Sequence, residues 1–312
     1  MKIGVAGTGA VGGYFGGLLA KAGSEVTFLA RGESLVAMKE RGLIVESETG
    51  RDIISAEFSD RYESLSEADL VLFCVKSTVT REMAANLQPF LKKDALILTF
   101  QNGVDNEEIL SDMFGKDRIL AAAAYIQAFM KEAGVVKQIG IPPQLVLGSL
   151  DKKRSGALEE VANLFNQAGI QTYSSSKVLE VKWKKLLWNV TFNPLTALML
   201  SSVGELLDDP GACETAKNIC KEAIAVARKT GVEIDTTFHE QIMSQGQLAR
   251  DHKTSMLQDR MNGKPMEIES ICGYIVQKGK EVGTSTPVLE TIYHLLKFSE
   301  SSKPKTVLEV RP

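Results

Sequence analysis

Lys185, Asn189 and Asn193 recur at i, i+4 and i+8 within Val181-Lys182-Trp183-Lys184-Lys185-Leu186-Leu187-Trp188-Asn189-Val190-Thr191-Phe192-Asn193-Pro194. On a helix that spacing aligns an ammonium and two carboxamides along one stripe, about one turn apart. Two readings stand. A structural network would bury the amides and let Lys185 snorkel to solvent. A binding stripe would offer the ammonium to a carbonyl oxygen and the amides to a hydroxyl or carboxylate. The apolar company of Trp188, Val190 and Phe192 predicts that the amides are buried, and buried amides need partners. Lys182, Lys184 and Lys185 together read as a solvated charged face, and Pro194 is expected to kink or end the helix.

Gly7-Thr8-Gly9-Ala10-Val11-Gly12 follows the apolar segment KIGVA and opens a helical pattern. In that context Gly7 permits a tight turn, Gly9 lets a pyrophosphate approach the backbone, and Gly12 lets the helix pack close to the strand. The helix N-terminus supplies N–H groups and a favourable dipole. The end of the next strand carries Arg31 where an acidic residue would grip the 2′-hydroxyl of NAD. A guanidinium there suits the 2′-phosphate of NADP, or is only a solvated arginine. Lys76, after the apolar run LVLFCV, and Asn102, in Gln101-Asn102-Gly103, stand at strand exits, where open α/β sheets bind ligands. Read alone, Lys76 is as well explained by solvation and Asn102 by an Asn-Gly turn. Ser255, in Thr254-Ser255-Met256-Leu257-Gln258-Asp259, caps a turn or binds a carboxylate, and Glu267 begins a helix whose dipole favours its charge.

These residues need two kinds of scaffold, and the 312 residues suffice for two domains. From residue 1 to about 175, short apolar runs alternate with amphipathic stretches, predicting a parallel sheet with strands at 2–6, 25–29, 69–75, 95–99 and 119–123. Segments 43–45 and 52–54 read as an inserted hairpin. After Ser174-Ser175-Ser176, which can cap a helix from Lys177, the pattern is helical, with further helices at 212–230, 237–250, 265–281 and 287–299. The expected domains are therefore a doubly wound α/β Rossmann domain, mainly parallel, over 1–175 and an all-α domain over 176–312, with a frayed tail from about 300.

Lys and Arg number 36 against 39 Asp and Glu, a net charge of −3 without a basic block, which argues against a nucleic-acid partner. Glycines at 4, 7, 9, 12, 13, 16 and 17 argue against a secretory leader, and no apolar run reaches membrane-spanning length. Four cysteines lack metal or redox spacing, and the three histidines suggest neither a zinc site nor a proton shuttle. A cytoplasmic location follows as the expectation, with no membrane partner, and an apolar helical domain makes a homodimer plausible.

Taken together, GTGAVG, Arg31, the KST after the buried strand, QNG at 101–103, KLLWNVTFNPLTAL, and SMLQD with Glu267 resemble the ketopantoate reductase (2-dehydropantoate 2-reductase) family from Met1 to about Phe298. The resemblance implies a Rossmann domain and a helical domain with the active site in the cleft between them. It also implies NADPH as reductant and reduction of ketopantoate to pantoate, a step toward pantothenate and coenzyme A. Lys185 then corresponds to the catalytic lysine, Asn189 and Asn193 to substrate-binding amides, and Ser255 to the serine holding the substrate carboxylate. Glu267 matches a glutamate associated with cofactor ribose and substrate hydroxyl, Asn102 an asparagine near nicotinamide and substrate, and Ala128 a cofactor backbone contact. Val203 departs from the pattern, since some members carry an asparagine there that contacts substrate. Alternatives to ketopantoate reduction are a related reductase for another 2-keto acid, and an NADP-binding sensor without turnover.

Overall fold

Residues 1–151 and 155–301 are described by a computed structural model. Within them the chain divides into two compact units, Met1–Lys182 and Trp183–Pro312. The division falls inside a helix rather than at the serine run before it.

In the first unit the central strands are β1 (Ile3–Ala6), β2 (Val26–Leu29), β6 (Leu70–Phe73), β7 (Leu96–Thr99) and β8 (Ile119–Tyr125). Their apolar side chains alternate between faces, as a strand's period of two requires. Ile3, Val5, Leu70, Leu72, Leu96 and Leu98 enter one core. Ala6, Val71, Phe73 and Ile97 enter a second. A sheet buried on both faces reads as a continuous apolar run, which is why these strands are plain in the sequence.

The full sheet has eight strands in the order β12-β11-β8-β7-β6-β1-β2-β5, with β5 at Glu57–Ser59, β11 at Gln144–Ser149 and β12 at Gln171–Ser174. It is mainly parallel, as expected for a doubly wound fold. The exception lies at one side, where β11 pairs antiparallel with β8. The expected hairpin is present as β3 (Leu43–Ser47) and β4 (Gly50–Ile54), paired antiparallel. It extends into a second, four-stranded sheet through β10 (Val135–Gln138) and β9 (Ala128–Glu132).

Helix α1 (Ala10–Lys21) lies between the two sheets, which accounts for glycines beyond the nucleotide motif. A Cβ on Gly16 would meet Phe28 and Val5 at 2.7 Å, and one on Gly17 would meet Val45 at 2.8 Å. The unit is completed by α2 (Gly32–Arg41), α3 (Thr80–Leu87), α4 (Asn106–Phe114) and α5 (Ser155–Gln167).

The long helix α6 (Val178–Met199) runs from the first unit into the second. Ahead of it, the Ser175 hydroxyl accepts the Lys177 N–H at 3.1 Å, a bond in the turn before the helix rather than one to an N–H of α6. Of the two expectations for Pro194, a kink or an end, the ending does not occur, since the helix continues through it. Its missing N–H costs one backbone bond. Burial of Leu195 and Ala197 beyond the proline outweighs that loss. The other regular elements among the described residues of the second unit are helical: α7 (Val203–Asp208), α8 (Pro210–Lys229), α9 (Phe238–Leu248), α10 (Ser255–Met261), α11 (Tyr274–Glu281) and α12 (Pro287–Ser301). Beyond Ser301, the tail expected to fray lies outside the described residues. No described helix is long and apolar enough to cross a membrane.

Candidate active-site residues

Each expected nucleotide-loop glycine has its own spatial reason. Gly7 has φ +99°, and a Cβ there would meet the Val75 backbone nitrogen at 2.8 Å. A Cβ on Gly12 would overlap the Gly7 carbonyl and meet Cys74 and Val5 at 3.0 Å. Gly9 is the opposite case, because a Cβ there meets nothing within 4 Å. Open space lies against the backbone at the N-cap of α1, where no side chain caps the helix and no acid stands in the first turn. Thr8 ties the turn to β2, donating through its backbone N–H and hydroxyl to the Leu29 carbonyl at 3.2 and 2.9 Å. Ala10 and Val11 form the half-buried first turn of α1. A phosphate group matches this arrangement of backbone donors and helix dipole.

Arg31 follows β2 and is the N-cap residue of α2. Its exposed guanidinium donates to the Tyr62 hydroxyl, with Cζ 5.4 Å from that ring's centroid. Asn86 donates to the same hydroxyl at 3.1 Å. The sequence reading missed this support, since Tyr62 lies far along the chain in an unremarkable polar segment. Lys76 is exposed just beyond β6 and caps a short 3₁₀ turn, Ser77–Val79. Asn102 is half-buried beyond β7, next to Gly103 at φ +86°. Ala128 stands on the four-stranded sheet, paired with Gln138, whereas the other cofactor candidates of the first unit flank the eight-stranded sheet.

A buried polar network fixes the loop that carries Asn102. Gln101 Nε2 donates to the Val75 carbonyl at 2.9 Å and to the Thr80 hydroxyl at 2.7 Å. That hydroxyl donates to Asn106 Oδ1 at 2.7 Å, and Asn106 Nδ2 donates to the Asn102 carbonyl at 2.8 Å. None of Gln101, Thr80 and Asn106 stood out in the sequence, because their meaning depends on pairing across some twenty residues or more.

The three lysines of α6 have different surroundings, correcting their reading as one solvated face. Lys182 is buried, forming an ion pair with Glu107 and donating to the Gln101 carbonyl at 3.1 Å. Lys184 is exposed, its Nζ 5.8 Å from the Phe238 ring centroid. Lys185 is half-buried. Along the expected stripe Asn189 is half-buried rather than buried, while Asn193 is 1% exposed. Asn193 Nδ2 has no hydrogen-bond partner among the described residues. An unsatisfied buried amide costs about 1–3 kcal/mol unless something else accepts its proton.

The second unit brings Ser255 to the Asn193 end of α6. The Thr196 and Thr254 hydroxyls are 2.8 Å apart, and Arg260 donates to the Ala197 carbonyl at 2.7 Å. The cap of α10 is Thr254, whose hydroxyl accepts the Leu257 N–H at 3.3 Å. Ser255 is thus the exposed first residue of the helix and not its cap.

Glu267 is 8% exposed and directly precedes the helical turn beginning at Ile268. A π-helical turn, Glu269–Gly273, follows. Its Glu269 carboxylate accepts from the Tyr293 hydroxyl at 3.0 Å and from Lys297 at 2.6 Å. Trp183 and Tyr274 have ring centroids 6.0 Å apart, which sets this element near the start of α6 in the second unit. Val203, the departure from the family pattern, is wholly buried at the first position of α7. All four cysteines are free, and burial holds the Cys220 thiol up at about 11. No group of three or more His, Cys, Asp or Glu among the described residues could hold a metal ion.

Comparison with known proteins places this chain, an α/β unit with a glycine-rich turn joined to a helical unit with a lysine–asparagine stripe, in a class of oxidoreductase. Residues 3–152 match the family model described as ketopantoate reductase PanE/ApbA, and residues 177–300 match its C-terminal model. The 2-dehydropantoate 2-reductase of Pyrococcus horikoshii is 32% identical over 301 residues, which cover 96% of this chain and 98% of the relative. A solved PanE/ApbA family ketopantoate reductase from Ralstonia eutropha has a TM-score of 0.90 at 32% identity, covering 96% and 98% of the two chains. D-mandelate dehydrogenase, solved as a ternary structure with NADH and anilino(oxo)acetate, has a TM-score of 0.89 at 25% identity, covering 96% and 98%. The chain belongs to the ketopantoate reductase family.

Proposed function

We propose that this chain is an NADPH-dependent 2-keto acid reductase whose substrate is ketopantoate. The observation that carries the reading is the stripe on α6, where Lys185 and Asn189 are half-buried and the buried Asn193 amide has an unpartnered nitrogen. A ligand carbonyl, carboxylate or hydroxyl supplies the acceptor which that nitrogen lacks.

A nicotinamide dinucleotide fits the first unit on its own residues. The turn Gly7-Thr8-Gly9-Ala10-Val11-Gly12 offers backbone donors and open space at Gly9 for its pyrophosphate, and Arg31 offers a cation for a 2′-phosphate. Lys76, Asn102 and the Ala128 backbone are the further proposed contacts. The dinucleotide, when bound, supplies the hydride that reduces the ketone carbon.

Lys185 holds its proton at Nζ against the ketone oxygen, polarises the carbonyl and gives the proton to the oxygen as negative charge develops there. Asn189, Asn193 and the Ser255 hydroxyl orient the substrate's oxygens, with Ser255 on the carboxylate. Glu267 accepts from a substrate or ribose hydroxyl. The proposed contacts for the reductant lie on the first unit and the proposed proton donor on the second. The product is the 2-hydroxy acid, and the pathway consequence is pantothenate and coenzyme A synthesis.

A second reading, a reductase for a different 2-keto acid, is favoured by Val203. A buried valine offers no hydrogen bond where some family members hold substrate with an asparagine. Support also comes from the similarity to D-mandelate dehydrogenase, a relative with another substrate and with NADH bound.

The test is absorbance decay of NADPH, and separately of NADH, with ketopantoate beside pyruvate, 2-ketoisovalerate and benzoylformate. Fastest turnover with ketopantoate and NADPH is the expected result. Preference for another acid selects the second reading, and no decay with any acid despite NADPH binding refutes both.

A further inference from the structure

We propose that the buried ion pair of Lys182 and Glu107 is a positioning device for the reduction, holding the Gln101-Asn102-Gly103 loop against the first turns of α6. The inference rests on the reductase reading, since it gives Asn102 and Lys185 their purpose.

The pair lies wholly within the first unit, with side-chain exposures of 3% for Lys182 and 2% for Glu107. Glu107 stands at the second position of α4, and its Oε2 has no partner among the described residues. The carboxylate therefore depends on Lys182 for its main compensation. Lys182 divides its protons between that carboxylate and the Gln101 carbonyl at 3.1 Å, the residue immediately before Asn102.

From the other side, Asn106 of α4 holds the Asn102 carbonyl at 2.8 Å, and the Gln101 side chain is held by Val75 and Thr80. Consecutive carbonyls, of Gln101 and Asn102, are thus clamped by one lysine and one asparagine. Lys185 follows Lys182 by three residues, about 4.5 Å along the axis at 1.5 Å per residue. The Lys182 contact itself fixes the loop against the opening turns of α6 that belong to the first unit.

Energetics favour a geometric role over a stabilising one. Burying two charges costs about as much as their attraction returns, and apolar residues of similar volume often serve stability equally well. What apolar residues cannot do is donate to the Gln101 carbonyl and set the register of the loop. Lys182 acts through Asn102, and is a positioning residue rather than a catalytic one.

The test compares full-length wild type with the double variant Glu107→Leu/Lys182→Met, which keeps the volume apolar and leaves no lone buried charge. The expected result is a Tm near wild type and a kcat at least about tenfold lower on the accepted 2-keto acid. Amide hydrogen exchange at Asn102, Gly103 and Val104 rises about tenfold. Glu107→Gln keeps an acceptor for Lys182 but leaves its charge uncompensated, so it lowers Tm while retaining, in the folded protein, more of the exchange protection and kcat than the double variant. Unchanged exchange at these amides, or wild-type kcat in the double variant, overturns the proposal. A wild-type protein that reduces no 2-keto acid instead defeats the reductase reading, while the exchange comparison still judges whether the pair holds the loop.

Discussion

Lys182, Lys184 and Lys185 sit within four residues of sequence and have three different surroundings. Burial and pairing with Glu107 remove Lys182 from consideration as a proton donor, and exposure near Phe238 removes Lys184. That leaves Lys185 as the proposed donor, and Lys185→Ala is expected to lower kcat by about 10²–10⁴-fold, the usual worth of a positioned acid. Because the lysine is assigned to chemistry, the NADPH Kd from fluorescence titration stays nearly unchanged, and an equal loss of cofactor affinity would refute the assignment. His252 provides a second residue-level test. Half-buried, with its ring centroid 5.3 Å from that of Trp188, it has its pKa pushed below the ordinary 6.5 by burial. The folded state thus prefers neutral imidazole, and its contribution to stability is complete above pH 6.5. As pH falls below that value the unfolded chain takes up a proton that the folded chain resists, so stability is lost through the folded-state pKa. Replacing His252 with Gln should flatten this part of the Tm profile between about pH 7.5 and about 5.5. Parallel profiles for the two proteins would show that His252 does not contribute.

Elements decide which glycines in the nucleotide turn are structural and which leave room. Gly12→Ala drives a methyl into the Gly7 carbonyl and is expected to destabilise the first unit by about 1–3 kcal/mol, since backbone cannot move aside as a flexible side chain can. Gly9→Ala meets nothing within 4 Å, so Tm without cofactor should shift little while NADPH affinity falls about tenfold or more. Equal effects of the two substitutions on Tm would contradict this division. The elements most legible in the sequence were those with a local cause: the buried strands β1, β6 and β7, the glycine-rich turn after β1, and the periodic helices α8, α9 and α12. The four-stranded sheet was only half visible. β3 and β4 are neighbours in sequence, but β10 joins β3 by parallel pairing from some ninety residues away, which no local pattern records. The same limit hid the Lys182–Glu107 pair, whose partners are 75 positions apart. It also hid the continuation of α6 past Pro194, where tertiary burial outweighs a local helix breaker.

For the whole molecule, the two units turn a local binding site into a measurable change in stability. The proposed dinucleotide contacts of the first unit belong to a folded sheet whose two cores come from separate faces, and the unfolded chain offers no such site. A ligand at a hundred times its Kd then stabilises the unit by about 2.7 kcal/mol through mass action. For a unit spanning Met1–Lys182, this amounts to a rise of roughly 5–10 °C in the transition that melts its sheet. The proposed contact between Arg31 and a 2′-phosphate makes the rise selective. At equal concentrations NADPH should raise the transition further than NADH, and Arg31→Asp should reverse that order by repelling the phosphate. The guanidinium is already held by Tyr62, so little further ordering of the side chain is required when the phosphate arrives. Equal shifts from the two cofactors in wild type would remove Arg31 from the phosphate site, and no shift from either would remove the dinucleotide from the first unit.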